Sequence, residues 1–217
     1  MIGSYKKGGI MFTDIIWDFD GTLFDTYDTI VSTFMKALED GGIQEDYDEV
    51  MALMLESVGS AVGHYMEKYA LGEAFLERYE QHQAMTDIAA VKPFSHAADI
   101  CKAVYAAGRR NYIYTHRGSS TYDYLDCHGL AGYFREILTR EDGFPPKPNP
   151  EAVLYLINKH HIEKENALLT GDRALDINAA KNAGIKGCFF DPNTPVVNEM
   201  ADYTIHAMIE LAAIIGI

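Results

Sequence analysis

Four short stretches of this chain carry residues that could do chemistry. The first is Asp18-Phe19-Asp20-Gly21-Thr22, two carboxylates one residue apart at the end of an apolar run. Burying such a pair is costly unless a cation or protons compensate. Gly21 and Thr22 then permit a tight turn with outward-pointing N–H groups, which suits an anion. The second stretch is Thr115-His116-Arg117, a hydroxyl followed by two potential cations. Taken singly, Thr115 is expected to be the N-cap of the next helix. The third is Lys147 in Pro145-Pro146-Lys147-Pro148-Asn149-Pro150, where prolines stiffen the backbone and hold the lysine just before a helix start. The fourth is Gly171-Asp172-Arg173-Ala174-Leu175-Asp176. Helix capping accounts for Asp172 there but leaves Asp176 without a role.

Grouped at one crevice, these stretches would supply three or four carboxylates, a lysine and a hydroxyl. Carboxylate oxygens without His or Cys partners select Mg2+ over zinc. A metal ion and a lysine facing carboxylates suit an anionic substrate, of which phosphate is the commonest.

The elements that must position them follow from periodicity. The run from Thr13 to Asp20 is short, β-rich and stopped by Gly21, as in a strand buried on both faces of a parallel sheet. From Thr26 to about Glu39 the spacing is helical, with Ile30, Phe34, Ala37 and Leu38 on one face and Gly41-Gly42 as the stop. Residues from about Tyr47 to Ala90 hold further helices and no strand. Tyr65, Tyr69, Phe75, Leu76 and Tyr79 recur there at helical spacing, as packing residues do. Ser95 is the expected N-cap of a helix through Ala107, with Gly108 closing it. Next come a strand over Tyr112 to Thr115, a helix through about Cys127, and a short strand over Phe134 to Leu138. Asn149 as N-cap and Pro150 at the first helical position start a helix running to about His160. A strand over Ala167 to Thr170, a helix over Ala174 to Ala183, and a strand over Gly187 to Phe190 complete the series. Such alternation predicts an α/β fold, a doubly wound and mostly parallel sheet, with a small all-helical insert after the first strand. Ligands of such sheets bind beyond the carboxyl ends of the strands, where all four stretches fall.

Composition narrows the partners. With 18 Lys and Arg against 32 Asp and Glu in 217 residues, the net charge is −14. That excludes nucleic acid and anionic membrane as partners, both of which need clustered cations. A small anionic substrate is compatible, because a metal ion and one or two local cations dominate a single site. The three cysteines, Cys101, Cys127 and Cys188, show no metal or disulfide spacing and are expected to be semi-buried apolar residues in a reducing cytoplasm. No apolar run approaches the roughly 20 residues of a membrane span. The N-terminal residues lack the apolar stretch of a signal peptide, and Met11 is a possible start; a cytoplasmic protein, monomer or homodimer, is expected.

The four motifs, in this order, resemble the haloacid dehalogenase superfamily and, within it, the phosphoglycolate-phosphatase-like group. The resemblance runs from about Asp14 to Phe190. It implies an α/β core over residues 11–25 and 91–217 and a helical cap over 26–90. It further implies Asp18 as a nucleophile that forms an aspartyl-phosphate and Asp20 as the acid/base. Mg2+ would be held by the Asp18 and Asp172 side chains, the Asp20 carbonyl and waters oriented by Asp176. Thr115, His116 and Lys147 make up the implied phosphate-binding set. Dehalogenases lack a carboxylate at the position of Asp20, so its presence favours phosphoryl chemistry. The implied activity is a Mg-dependent phosphatase acting on a small phosphorylated metabolite. A phosphosugar mutase of the β-phosphoglucomutase type shares all four motifs, and a non-catalytic phosphate-responsive module is the remaining alternative. The second motif, Thr-His-Arg-Gly, departs from the commonest form in phosphoglycolate phosphatases. Phe24, Asp25, Tyr27 and Lys92, near the cap hinge, are candidates for covering the site.

Overall fold

A computed structural model of the chain describes residues 11–194 and 197–217. The N-terminal stretch expected to lack a leader lies, but for Met11, outside the described residues. The first strand, β1 (Asp14–Trp17), is followed by four helices, α1 (Tyr27–Glu39), α2 (Tyr47–Glu56), α3 (Val58–Lys68) and α4 (Glu73–Ala84). Helix and strand then alternate: α5 (Ala97–Ala106), β2 (Arg110–Tyr114), α6 (Ser120–Cys127), β3 (Phe134–Leu138), α7 (Glu151–His160), β4 (Ala167–Gly171), α8 (Ala174–Ala183) and β5 (Lys186–Phe190). A short strand, β6 (Tyr203–Ile205), and α9 (Met208–Ile215) end the chain. The six strands form one sheet in the order β3-β2-β1-β4-β5-β6, with every neighbouring pair parallel. Among the described residues no helix is long and apolar enough to cross a membrane.

Strand β1 sits inside the sheet because all four of its residues are buried and side chains alternate between faces. Ile15 and Trp17 join Ile100 and Val104 of α5 and Leu211 and Ile215 of α9 in one core. Ile16 joins Tyr112, Leu169, Leu156 of α7 and Ala180 of α8 in the other. Each such buried side chain contributes about 1.5–3 kcal/mol, which fixes the strand that carries Asp18. The buried Trp17 indole donates to Asn111 Oδ1 at 3.0 Å, and Asn111 Nδ2 donates to the Cys101 carbonyl at 2.9 Å. β1 is thereby pinned to β2 and α5 without an orphaned polar group.

A third core is built only from α1–α4. Ile30, Phe34, Ala37 and Leu38 of α1 pack with Val50, Met54, Tyr65, Phe75 and Tyr79. Phe34 is the hub, edge-on to Phe75 at 5.4 Å and to Tyr79 at 5.3 Å.

Several expectations shift. Ser95 is not an N-cap: α5 starts at Ala97 behind His96, which takes a left-handed φ of 69° with no side-chain cap. The connection from the helices is shaped instead by tertiary pairing, with Phe94 N–H on the Leu23 carbonyl and Phe24 bridged to Pro93. Pro150 caps α7 rather than opening it, although Asn149 Oδ1 does accept the Glu151 N–H at 2.9 Å. Thr115 does not cap α6, which begins only at Ser120. Cys101 and Cys188 are buried, but Cys127 is exposed, because it falls on the outer side at the end of α6. β6 and α9 extend the fold beyond the last expected strand.

Candidate active site

Three of the four motifs lie just past the carboxyl end of a strand and Lys147 on the longer segment that follows β3, and the parallel sheet brings those strand ends to one edge. Asp18 follows β1, its N–H bonded to the Thr170 carbonyl of β4 at 2.9 Å. Lys147, on the segment between β3 and α7, is wholly buried. Its Nζ lies 2.9 Å from Asp18 Oδ1 and 2.6 Å from Asp176 Oδ1. The opposite oxygen of Asp18 takes Arg173 Nη2 at 3.2 Å, and the Phe19 N–H donates to Oδ1 at 2.8 Å. Burial alone would raise the Asp18 carboxyl, but Lys147 and Arg173 outweigh it and hold the group down at about 2. An ionised, oriented carboxylate with three donors around it is fit for nucleophilic attack.

Asp172 and Asp176 open α8. Asp176 Oδ2 accepts the Arg173 N–H at 3.1 Å, so Asp176 caps the helix while its other oxygen holds Lys147. The capping role expected of Asp172 thus belongs to Asp176, and Asp172 turns towards β1 and α1. Its Oδ1 accepts the Thr22 hydroxyl at 3.0 Å and its Oδ2 the Tyr27 hydroxyl at 2.8 Å. This close approach demands glycine: a Cβ on Gly21, at φ 74°, would lie 2.4 Å from Asp172 Oδ2 and 2.3 Å from the Tyr27 ring. A Cβ on Gly171 would come within 2.3 Å of the Asp176 side chain.

Asp18, Asp172 and Asp176 each offer an oxygen, all within 4.8 Å of one another. Burial, then Asp18 and Asp176, push the Asp172 carboxyl up to about 8. A divalent cation among the three would offset the charge repulsion from Asp18 and Asp176, and an all-oxygen donor set suits a hard ion. The residues therefore fit the implied metal.

Asp20 is held differently. Arg117 Nη2 reaches its Oδ1 at 2.6 Å, Arg117 Nε reaches both oxygens at 3.0 and 3.2 Å, and the Thr26 hydroxyl donates to Oδ1 at 2.7 Å. Thr115 is buried at the end of β2, where its Oγ1 accepts the Arg117 N–H at 3.0 Å and shapes the turn that delivers Arg117. His116 Nε2 accepts the Lys147 N–H at 2.8 Å. Its imidazole is therefore neutral, with the proton on Nδ1, and burial and then the Lys147 charge lower it to about 4. From the phosphate-binding set, Lys147 alone contacts Asp18 directly.

Four side-chain partners of the aspartates lie outside the expected catalytic, phosphate-binding, metal and hinge residues: Arg117, Arg173, Thr22 and Thr26. Each cation directly follows a motif residue at a strand end, which is the signal that could have found it. Of the hinge residues, Tyr27 reaches the site through Asp172. Phe24 stacks on Phe19 at 4.7 Å as packing, and the Lys92 ammonium is bonded to the Ala89 carbonyl.

Comparisons with known proteins agree with this geometry. The family profile of the haloacid dehalogenase-like hydrolases matches residues 15–190. A phosphoglycolate phosphatase of Aquifex aeolicus is 28% identical over 176 residues, covering 79% of this chain and 81% of that protein. The pyrophosphatase PpaX of Halalkalibacterium halodurans is 26% identical over 210 residues, 94% of this chain and 96% of its own. The solved structure of a haloacid dehalogenase-like hydrolase from Streptococcus pneumoniae shares the fold, with a TM-score of 0.78 at 21% identity over 93% of this chain and 97% of that one. The chain is a member of the haloacid dehalogenase-like hydrolases.

Proposed function

We propose that this hydrolase is a Mg2+-dependent phosphatase of a small phosphorylated metabolite, working through an aspartyl-phosphate on Asp18. The observation that carries the proposal is the buried bridge of Lys147 between Asp18 and Asp176 beside Asp172, with Asp20 two residues beyond the nucleophile. Its curated relatives include phosphoglycolate phosphatases and pyrophosphatases, which act on phosphate bonded to small leaving groups.

Mg2+ held by Asp18, Asp172 and the Asp20 carbonyl, with Asp176 orienting its waters, would offset negative charge on phosphate and carboxylates. The chain's own residues do the rest. Lys147 and Arg173 hold the Asp18 carboxylate in one orientation, and Lys147 remains to balance charge on the phosphoryl oxygens. An Asp18 oxygen attacks phosphorus, the bond from phosphorus to the leaving oxygen breaks, and Asp20 gives its proton to that oxygen. In the second half Asp20 takes a proton from water as the water oxygen attacks phosphorus. The Asp18–phosphorus bond then breaks, which restores the carboxylate and yields inorganic phosphate. Residues 26–90 act as a cap on a core of 11–25 and 91–217, excluding water and reading the leaving group. The separate core of α1–α4 and the Tyr27 contact to Asp172 support that division.

Phosphate release from a panel including phosphoglycolate, pyrophosphate and hexose phosphates tests the proposal, run with Mg2+ and with chelator. Release that needs Mg2+ and vanishes in Asp18→Asn is the expected outcome. A folded, Mg2+-loaded protein that releases phosphate from no member would refute it.

A further inference from the structure

Arg173 is the cation of the site with donors to spare. Its backbone is fixed at the turn from β4 into α8, where Asp176 Oδ2 accepts its N–H, and the residue is only 8% exposed. A guanidinium carries five N–H donors. Among the described residues this one makes a single side-chain hydrogen bond, from Nη2 to Asp18 Oδ2 at 3.2 Å. Its Nε is buried without a partner, and Asp176 Oδ2, at 4.0 Å, is too far to accept from it. An unpaired buried polar group is rare in a folded protein, and a ligand is one way to satisfy it.

Lys147 is committed elsewhere. Its ammonium, with three N–H donors, already serves Asp18 Oδ1 and Asp176 Oδ1 and lies 4.8 Å from the Tyr114 ring. At most one donor is left for a ligand. The two oxygens of Asp18 differ in the same sense. Oδ1 takes Lys147 and the Phe19 N–H, whereas Oδ2 takes only Arg173, so Oδ2 is the oxygen freer to attack. Phosphorus brought to the roughly 3–3.5 Å of a reactive pose from Oδ2 would set its other oxygens beside the guanidinium. A planar fork meets two phosphate oxygens at once, where an ammonium meets them as a point charge.

Resting on the phosphatase reading, we propose that Arg173 is a second phosphate-binding cation, whose spare donors take oxygens of the transferring phosphoryl group as Asp18 Oδ2 attacks. Arg173 then contacts the substrate itself, in addition to orienting the carboxylate before the substrate arrives.

The test measures binding of inorganic phosphate by calorimetry, with Mg2+, in an Asp18→Asn background. That substitution removes both the covalent chemistry and the ion pair of Arg173 with Asp18, so an arginine that only braces the carboxylate has nothing left to do. Adding Arg173→Met to Asp18→Asn should weaken phosphate binding by about tenfold to a hundredfold, the usual worth of charged hydrogen bonds. The Mg2+ dissociation constant, titrated separately, should not rise, because a positive charge has been taken from beside the acidic cluster. Equal phosphate affinity with and without Arg173 overturns the proposal. So does a loss of phosphate binding wholly accounted for by a weakened Mg2+ site. If Arg173→Met fails to fold by circular dichroism, Arg173→Gln, which keeps a polar side chain without the charge, decides in the same way. Absence of phosphate binding to Asp18→Asn alone also overturns it. Wild type that still releases phosphate from the panel then keeps the phosphatase reading, and one that releases none loses both.

Discussion

Lys147 donates to Asp18 and Asp176 from a fully buried position, so its removal strands two carboxylates. Breaking a buried pair from one side costs about 3–5 kcal/mol. Lys147→Met should lose that much in urea unfolding without metal, and Mg2+ should restore part of it. His116 gives a pH signature. Its folded-state value of about 4 lies below the ordinary 6.5, through burial and then Lys147. Between those values the unfolded chain binds a proton that the folded chain refuses, so stability falls as pH drops through that window and is unaffected above it. In His116→Gln, whose amide oxygen can accept the same Lys147 N–H, urea midpoints should fall less steeply than wild type between pH 6.5 and 4. At this scale the sequence showed the types of all the motif aspartates and of Lys147. It hid their partners, because Arg117–Asp20 spans 97 residues and Arg173–Asp18 spans 155, and local spacing cannot carry such pairings.

At the scale of elements, the turns between strand and helix are as demanding as the side chains. Gly171 ends β4 against the Asp176 side chain with no room for a methyl group. Gly171→Ala should force Asp176 off both its cap and Lys147, costing about 1–3 kcal/mol as overpacking does. Thermal unfolding and phosphate release should drop together. Strands β1 to β5 were legible because apolar runs with glycine or proline boundaries mark buried parallel strands. The start of α5 was misplaced because the bridge from Phe24 to Pro93, a tertiary contact, overrides the capping preference of Ser95. β6 was hidden by its length of three residues, and α9 by an apolar run too uniform to show a helical period. Asp176 had no explanation in the sequence because its cap bond and its Lys147 bond use different oxygens of one side chain.

At the scale of the molecule, Asp18 follows the first strand whereas Asp172 and Asp176 open α8, so a cation among them ties segments far apart in the chain together. Mg2+ at about 100 times its dissociation constant should add about 2.7 kcal/mol to stability. A thermal melt should show the rise, EDTA should reverse it, and Asp172→Asn should lose most of it. The placement of β1 between β2 and β4 bears also on how the protein is made. Thr22 must wait 150 residues for Asp172, its hydroxyl's acceptor. Pairings of such separation form slowly and late. On the ribosome Asp18 emerges ahead of β2 and β4, so its strand has no neighbours until they follow. A nascent chain released before residue 167 would carry Asp18 and Asp20 yet lack β4, the strand beside which Asp18 is seated. Activity should therefore appear only once β4 and Asp176 have emerged, and products truncated before them should be inert.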